Sequence, residues 1–228
     1  MKRIHILRDL AQKQATRPLY QMVFDDSAYY VEYYYREKCK DNVVITKTET
    51  DGERQTLLSM LHLNPYTLVF EGKVLSSCMI GAVATLPHRR HEGHMRDLLQ
   101  AAFVYLEEQR VPFCYLVPVE EDIYRPFGFE TICSLSERSK RPATFENTDI
   151  YCAQEERYLY RAAMEEEIER REQEAGIAPA DELPNQPVVM ARITCKEAFD
   201  KLAGETFCTD AQRLAFLREK RIYLCDEL

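Results

Sequence analysis

The heptapeptide HRRHEGH, residues 88–94, concentrates side chains that can bind ions. It contains three of the five histidines of the chain, together with two arginines, a glutamate and a glycine. Histidine and glutamate are common zinc ligands, whereas arginines around a glycine-containing turn are typical of phosphate sites. The segment therefore predicts either a metal site or an anion site, and its surroundings must decide between them.

The spacing of the ligand types argues against a metal. A zincin motif requires His-Glu-x-x-His, and the fourth residue after His91 is Met95. Zinc sites need about four ligands, but the eight cysteines are scattered along the chain without a C-x-x-C pair. We expect no metal here, and we expect reduced thiols instead of disulfides.

The elements around the heptapeptide favour an anion. MIGAVATLP is typical of a strand, and GHMRDLLQAAFVYLEEQR of an amphipathic helix that follows it. Gly93 allows the backbone to approach a ligand, and the N–H groups of the first helical turn then face an anion. Because Arg89, Arg90 and Arg96 can neutralise part of its charge, the sequence predicts a pyrophosphate site with histidines as partial cations beside it.

The wider pattern predicts an α/β fold. Residues 7–35 have helical spacing with a cap at Asp26 or Ser27. The tyrosines from Tyr29 to Tyr35 could form a ligand-binding face, but half-buried packing with wet hydroxyls is the expectation. The segments NVVITKTE, TLLSMLHLNP and TLVFEGKVLSSCMIGAVATLP predict strands broken at Gly52 and Gly72. VPFCYLVPV and FETICSLS predict two more, so strand–helix–strand surrounds the heptapeptide in one right-handed crossover.

The character of the sequence changes after about residue 136. We predict a first domain over 1–136 and a C-terminal extension over 137–228. The extension should hold an exposed helix with a solvated acidic face at 165–174, a proline-bearing loop, and short strands and helices.

The composition excludes several classes of partner. A formal net charge of -8 over 228 residues argues against binding to nucleic acid or to an anionic membrane surface. The N-terminal residues turn polar too early for a signal peptide, and no apolar stretch is as long as a membrane span, about 18 residues. We therefore expect a cytoplasmic protein without nucleic-acid or membrane partners.

Two motifs resemble those of a known family. VATLPHRRHEGHMRDLL resembles the acetyl-CoA signature of the GNAT acetyltransferases, Arg/Gln-x-x-Gly-x-Gly/Ala, with Arg90, Gly93 and Met95 at its defined positions. YRPFGF resembles the Tyr-x-x-x-Gly-Phe element of that family. The run from VATLPHRR to YRPFGF is similar to the Eis (enhanced intracellular survival) branch, and the resemblance covers about residues 5–135. It implies a mixed central sheet flanked by helices, with a small α+β extension after it.

The resemblance implies acetyl-CoA as cosubstrate and assigns residues to it. The pantetheine arm would be met by the backbone of Val83, Ala84 and Thr85. The pyrophosphate would be held by the turn Arg90, His91, Glu92, Gly93, His94, Met95 and Arg96. The acetyl end would lie near Val119 and Glu120.

The resemblance also implies catalytic roles. Tyr124 would be the general acid that gives a proton to the departing CoA thiolate, since a phenol with an ordinary pKa of about 10 is protonated at neutral pH. In the Eis branch the terminal carboxylate is the base, which here is that of Leu228. His62, Glu71 and Glu130 are alternatives, although His62 lies among apolar neighbours that are typical of a core.

The function implied is transfer of an acetyl group to a primary amine by direct attack on the thioester. The acidic chain favours a cationic acceptor, such as a polyamine, an aminoglycoside-like amine or a lysine side chain, and a homo-oligomer is possible. The alternative is a non-catalytic acyl-CoA-binding or regulatory module. The tail, shorter than in typical Eis-branch proteins, and Met95 in place of a small residue both motivate that alternative.

Overall fold

The computed structural model describes residues 1–134, 144–153, 156–177 and 187–224. The strands are β1 (Lys2–Leu7), β2 (Val43–Asp51), β3 (Arg54–Phe70), β4 (Lys73–Thr85), β5 (Phe113–Leu116), β6 (Glu130–Ser134), β7 (Ile150–Cys152), β8 (Val188–Ile193) and β9 (Ile222–Tyr223). The helices are α1 (Leu10–Gln14), α2 (Arg17–Val23), α3 (Ala28–Arg36), α4 (His94–Glu108), α5 (Glu121–Tyr124), α6 (Glu156–Ala175), α7 (Lys196–Ala203) and α8 (Asp210–Arg218). Short 3-10 turns span Lys38–Lys40, Pro87–Arg89 and Arg125–Phe127.

Strand pairing confirms the predicted α/β class. Antiparallel pairs join β1 to β2, β2 to β3, β3 to β7, and β8 to both β5 and β6. Strand β4 pairs with β5 in parallel, through Cys78 with Cys114 and Met79 with Tyr115. Helix α4 connects these two strands, which is the crossover that the strand–helix–strand pattern predicts.

The chain forms two compact units that are interleaved in sequence. Unit 1 contains Met1–Asn64, Ile80–Val104 and Tyr160–Glu182, and unit 2 contains Pro65–Met79, Tyr105–Leu159 and Leu183–Leu228. The domain boundary predicted at residue 136 lies outside the described residues and stays a prediction.

The core of unit 1 lies between helices α2 and α3 and strands β2, β3 and β4. Tyr34 and Tyr35 of α3 are buried there with Val44, Met60 and Ala84. These two tyrosines pack as the sequence predicts, but they are buried in the core instead of half-buried with wet hydroxyls. Burial raises the pKa of each because it disfavours the phenolate.

The helical region predicted over residues 7–35 is three separate helices. Asp9 caps α1 with its side chain, Pro18 stands in the first turn of α2, and Ser27 caps α3 by accepting a hydrogen bond of 3.1 Å from the N–H of Tyr30. Each of these residue types favours a helix start: a side-chain oxygen accepts from an unpaired N–H of the first turn, and a proline has no N–H to leave unpaired. Ser27 is one of the two caps that the sequence predicts.

Strand β1 lies outside the predicted elements. It pairs with β2 at the edge of unit 1. Its apolar side chains Ile4 and Ile6 are 41% and 39% exposed. A strand without a well-buried face lacks the hydrophobic contrast on which prediction from sequence depends.

Helix α6 differs from the exposed helix predicted for it. Glu165 forms an ion pair of 2.8 Å with Lys38, and Glu172 accepts a hydrogen bond from Ser27. Ile168 between them is 6% exposed. The acidic run is therefore solvated on one face only, because residues seven apart lie on the same side of a helix.

Unit 2 has a hydrophobic core of its own. Its largest fully buried side chains include Phe70, Tyr115 and Phe199. Strand β8, from the region predicted as the C-terminal extension, lies between β5 and β6 and is antiparallel to both. The C-terminal residues therefore supply a strand to the sheet of unit 2.

No helix in the described parts of the chain is both long enough and apolar enough to cross a bilayer. The cysteines of the described residues are free thiols.

Candidate functional site

The end of β4 is irregular just before the residues predicted to meet a pantetheine arm. Ala82 has a left-handed φ of 46°, which costs a non-glycine residue about 1–2 kcal/mol. Val83 and Thr85, which follow it, are partly exposed, whereas Ala84 is buried in the core of unit 1. The structure thus places the three predicted residues on one strand end with alternating exposure.

Turn A, residues 87–96, follows this strand in unit 1 and is anchored by Arg89. The guanidinium of Arg89 forms ion pairs of 2.8 Å with Glu49 of β2 and 2.8 Å with Glu92. Hydrogen bonds from Arg89 and Lys2 lower the pKa of the Glu92 carboxyl to about 2. Arg89 therefore holds the turn in place, instead of being an available cation as the sequence suggests.

Two other arginines of turn A remain available. Arg90 and Arg96 are exposed, and their guanidinium groups make no hydrogen bond or ion pair with the residues that the structure describes. His91 is also exposed, with a left-handed φ of 65°. The cationic side chains predicted for an anion thus lie on the solvent side of the turn.

Gly93 gives turn A an open surface. Its φ of 78° favours glycine, and a Cβ added to it would have no atom within 4 Å. Helix α4 begins at the next residue, and the carbonyl of Gly93 accepts a hydrogen bond of 3.2 Å from the N–H of Asp97. The first N–H groups of a helix have no partner inside it, so open space, helix N-terminus and free arginines lie together.

His94 differs from the partial cation predicted for it. Its side chain is buried, with 2% of the residue exposed, and burial lowers its pKa. Nε2 lies 3.2 Å from a carboxylate oxygen of Glu92. Because a buried imidazole at a helix N-terminus is disfavoured as a cation, His94 is a neutral part of the turn. Met95 beside it is partly buried.

Turn B, residues 120–129, carries Tyr124 in unit 2. The phenol ring is partly buried and meets Phe129 edge-on, with ring centroids 5.9 Å apart. Burial raises the pKa of Tyr124 to about 12. Its hydroxyl makes no hydrogen bond with any described residue, so a protonated donor is available to a ligand.

The two residues predicted near an acetyl group stand at the start of turn B. Val119 is 79% exposed. Glu120 has extended backbone angles and precedes α5, and its carbonyl accepts a hydrogen bond of 3.3 Å from the N–H of Ile123. Both residues lie in unit 2 with Tyr124, whereas the residues of turn A lie in unit 1.

Sequence reasoning missed Arg192 of β8. Its Nη1 donates a hydrogen bond to the carbonyl of Phe127 in turn B, and it lies against Gly128. The strand VVMARI is otherwise apolar, so a single arginine in it was the available signal, since an arginine is rarely kept in such a strand without a partner.

His62, an alternative base, is a core residue. It is fully buried, and its Nδ1 lies 3.1 Å from the hydroxyl of Tyr34. Burial lowers the pKa of His62 to about 3, so the ring is neutral at physiological pH. This agrees with its apolar sequence context.

The two glutamates among the candidate bases are each engaged by a cation. Glu71 forms an ion pair of 3.1 Å with Lys220, and Glu130 forms one with Arg218. Leu228, whose carboxylate is the base implied by the resemblance, lies outside the described residues and stays a prediction. Among the described residues, no three His, Cys, Asp or Glu side chains are arranged to hold a metal ion.

Comparison with known families decides what this architecture is. A family model for the acetyltransferase (GNAT) domain matches residues 7–132, more than half of the chain. The chain belongs to the GNAT acetyltransferase family. No curated protein sequence matches the chain.

Solved structures agree with the fold. A GNAT family N-acetyltransferase from Escherichia coli, determined in complex with CoA, is 15% identical, with 90% of this chain and 86% of that chain covered at a TM-score of 0.51. A probable N-acyltransferase from Enterococcus faecalis is 21% identical, with 59% of this chain and 33% of that chain covered at a TM-score of 0.51. The present chain thus spans about a third of the Enterococcus protein. At these identities the likeness concerns the fold alone.

A third structure is Eis1 from Mycobacterium abscessus. It is 16% identical, with 59% of this chain and 32% of that chain covered at a TM-score of 0.44.

Proposed function

We propose that the chain is an acetyl-CoA-dependent N-acetyltransferase that acetylates a primary amine by direct attack on the thioester. The proposal depends on the arrangement of turn A, in a chain that belongs to the GNAT family. Gly93 leaves open space before the 15-residue helix α4, and Arg90 and Arg96 stand exposed beside it without partners among the described residues. That combination fits a pyrophosphate, and the CoA bound to the Escherichia coli relative supports the same cosubstrate.

The cosubstrate would be held along its length by separate groups. The pyrophosphate would accept hydrogen bonds from the first N–H groups of α4 and from Arg90 and Arg96. Backbone groups of Val83, Ala84 and Thr85 would meet the pantetheine arm. Backbone groups would thus position the cosubstrate, and the two arginines would neutralise charge on its pyrophosphate.

Tyr124 would act when the thioester opens. The neutral amine attacks the carbonyl carbon, a C–N bond forms, and the tetrahedral oxyanion collapses with breaking of the C–S bond. With a pKa of about 12 the phenol is protonated but a weak acid, so its main contribution is a hydrogen bond to the departing sulfur. The proton that the amine loses balances the one that the thiol gains.

We further propose a cationic acceptor and membership of the Eis-like branch. The net charge of -8 favours polyamines, aminoglycoside-like amines or lysine side chains as acceptors. The branch is supported by the run from VATLPHRR to YRPFGF in the sequence.

The test is release of free thiol from acetyl-CoA in the presence of a panel of amines. The panel contains a polyamine, an aminoglycoside and a lysine peptide, and an alcohol of similar size serves as the control acceptor. We expect thiol release with at least one amine and none with the alcohol. Tight CoA binding without turnover on any amine would instead support the non-catalytic acyl-CoA-binding module.

A further inference from the structure

Arg192 contacts the turn that carries Tyr124. Its guanidinium donates from Nη1 to the carbonyl of Phe127, the last residue of the 3-10 turn Arg125–Phe127. The last carbonyls of a helical turn have no partner within it, and a cationic donor is favourable at that end. Arg192 thus caps turn B from β8, the neighbouring strand of unit 2.

Gly128 leaves room beside the backbone for this guanidinium. A Cβ at Gly128 would lie 3.6 Å from Cζ of Arg192 and would collide with Nη1. Gly128 also has a φ of 78°, and its N–H donates a hydrogen bond of 3.0 Å to the carbonyl of Arg125. The absence of a side chain here serves the close approach of Arg192 as well as the backbone conformation.

Tyr124 lies next to both of these contacts. It immediately precedes the 3-10 turn that Arg192 caps, and its ring meets Phe129, which is 1% exposed. On the other side of the turn, Glu121 accepts a hydrogen bond from Thr131 of β6. The segment is therefore tied to β6 at its start and to β8 at its end.

We infer that Arg192 is a positioning residue, which holds turn B so that the phenol of Tyr124 keeps the place that acetyl transfer requires. The effect on acetyl transfer rests on the proposed function, whereas the effect of Arg192 on the position of Tyr124 does not. Without the guanidinium, the carbonyl of Phe127 loses its partner, and the segment between the two ties becomes mobile.

The positioning is measured without catalysis by placing 3-fluorotyrosine at position 124 through stop-codon suppression. The difference in its fluorine chemical shift between H2O and D2O at pH 7 reports exposure of the ring. In R192M we expect this difference to rise from the parent value toward that of the same label at position 29, where Tyr29 is 43% exposed. An unchanged difference in a folded R192M contradicts the inference, whether or not the parent acetylates any amine.

The matched control is R213M. Arg213 is another arginine of unit 2, more buried than Arg192 at 4% exposure, but it pairs with Asp200 at 2.7 Å and none of its hydrogen bonds goes to turn B. R213M should lose stability while leaving the label at position 124 as in the parent. An equal change in both variants would show general loosening of unit 2 and would overturn the inference. If R192M does not fold, R192K is measured instead. The ammonium of a lysine cannot fill both the space beside the Phe127 carbonyl and the space beside Gly128. We therefore expect the fluorine shift difference to rise less in R192K than in R192M. An unchanged difference in R192K contradicts the inference.

Kinetics provide the second readout. In R192M we expect kcat to fall about tenfold with the KM for acetyl-CoA unchanged, because misplacing a catalytic group affects the transition state more than binding. A rise in KM with kcat unchanged would contradict the inference. Absence of turnover in the parent would remove the proposed function, while the fluorine measurement would still decide the role of Arg192.

Discussion

Turn A and turn B both contain a glycine at φ 78°, yet the space beside the two glycines differs. A Cβ at Gly93 would meet nothing within 4 Å, whereas one at Gly128 would collide with the guanidinium of Arg192. In turn A the side-chain space is left open. In turn B the protein itself fills it.

The arginines at the two turns also differ in whether the protein supplies their hydrogen-bond partners. Arg90 and Arg96 of turn A face solvent without partners among the described residues, while Arg192 at turn B is bound to the backbone. An anion-binding surface needs hydrogen-bond donors without partners in the protein, because a donor that is already bonded within the protein cannot bind the ligand. A catalytic hydrogen-bond donor such as the Tyr124 hydroxyl needs fixed surroundings, since its position depends on neighbouring residues whose own hydrogen bonds are already formed.

The sharpest test of this comparison is Tyr124→Phe. It removes the hydroxyl of turn B and leaves turn A intact, so we expect kcat to fall about 100-fold, the size of a lost hydrogen bond to a charged group in the transition state, with the Kd of CoA unchanged. Steady-state kinetics and calorimetric titration of CoA measure the two quantities. Tyr29→Phe, at an exposed tyrosine, is the control. Parent-like turnover in Tyr124→Phe would remove the phenol from the mechanism.

The two glycines should separate binding from stability. Gly93→Ala and Gly128→Ala each force a left-handed alanine, at a cost of about 1 kcal/mol. Gly128→Ala also displaces Arg192, so we expect its free energy of unfolding to fall by about 2–3 kcal/mol in total. Gly93→Ala should instead weaken CoA binding by about tenfold, because its methyl group enters the space for the pyrophosphate. Denaturant unfolding and CoA titration measure the two effects.

Gly52→Ala is the matched control for that pair. Gly52 has a φ of 58° and nothing within 4 Å of an added Cβ, so the variant carries the backbone strain without a ligand beside it. CoA binding should be unchanged in Gly52→Ala. If Gly52→Ala and Gly93→Ala weaken CoA binding equally, the open space of turn A is not a ligand site.

The smallest expected effect is in the pH profile of turn B. Burial raises the pKa of Tyr124 to about 12, so the phenol stays protonated well above its ordinary range. We therefore expect kcat to be flat between about pH 8 and pH 10, measured with an acceptor amine whose own pKa lies below 8. A phenol with an ordinary pKa of about 10 would be half ionised at the upper end. A twofold loss of kcat by pH 10 would show that Tyr124 is not desolvated.

Much of turn A could be predicted from sequence because its signals are local. Gly93, the arginines around it and the helix after it lie within one short segment, and the family motif describes the same segment. Turn B was only partly predictable. Tyr124 is visible in YRPFGF, but Arg192 is 65 residues from its partner Phe127.

The sequence by itself determined the α/β class, the strand–helix–strand crossover, the family, and the segments that hold Gly93 and Tyr124. These features depend on hydrophobic periodicity and on residues close together in the chain. Only the tertiary structure decided that Arg89 is engaged by carboxylates, that His94 is buried and neutral, and that Arg192 caps the turn of Tyr124. Each of these depends on which distant groups fold against a side chain, and burial and partners set its charge and its role.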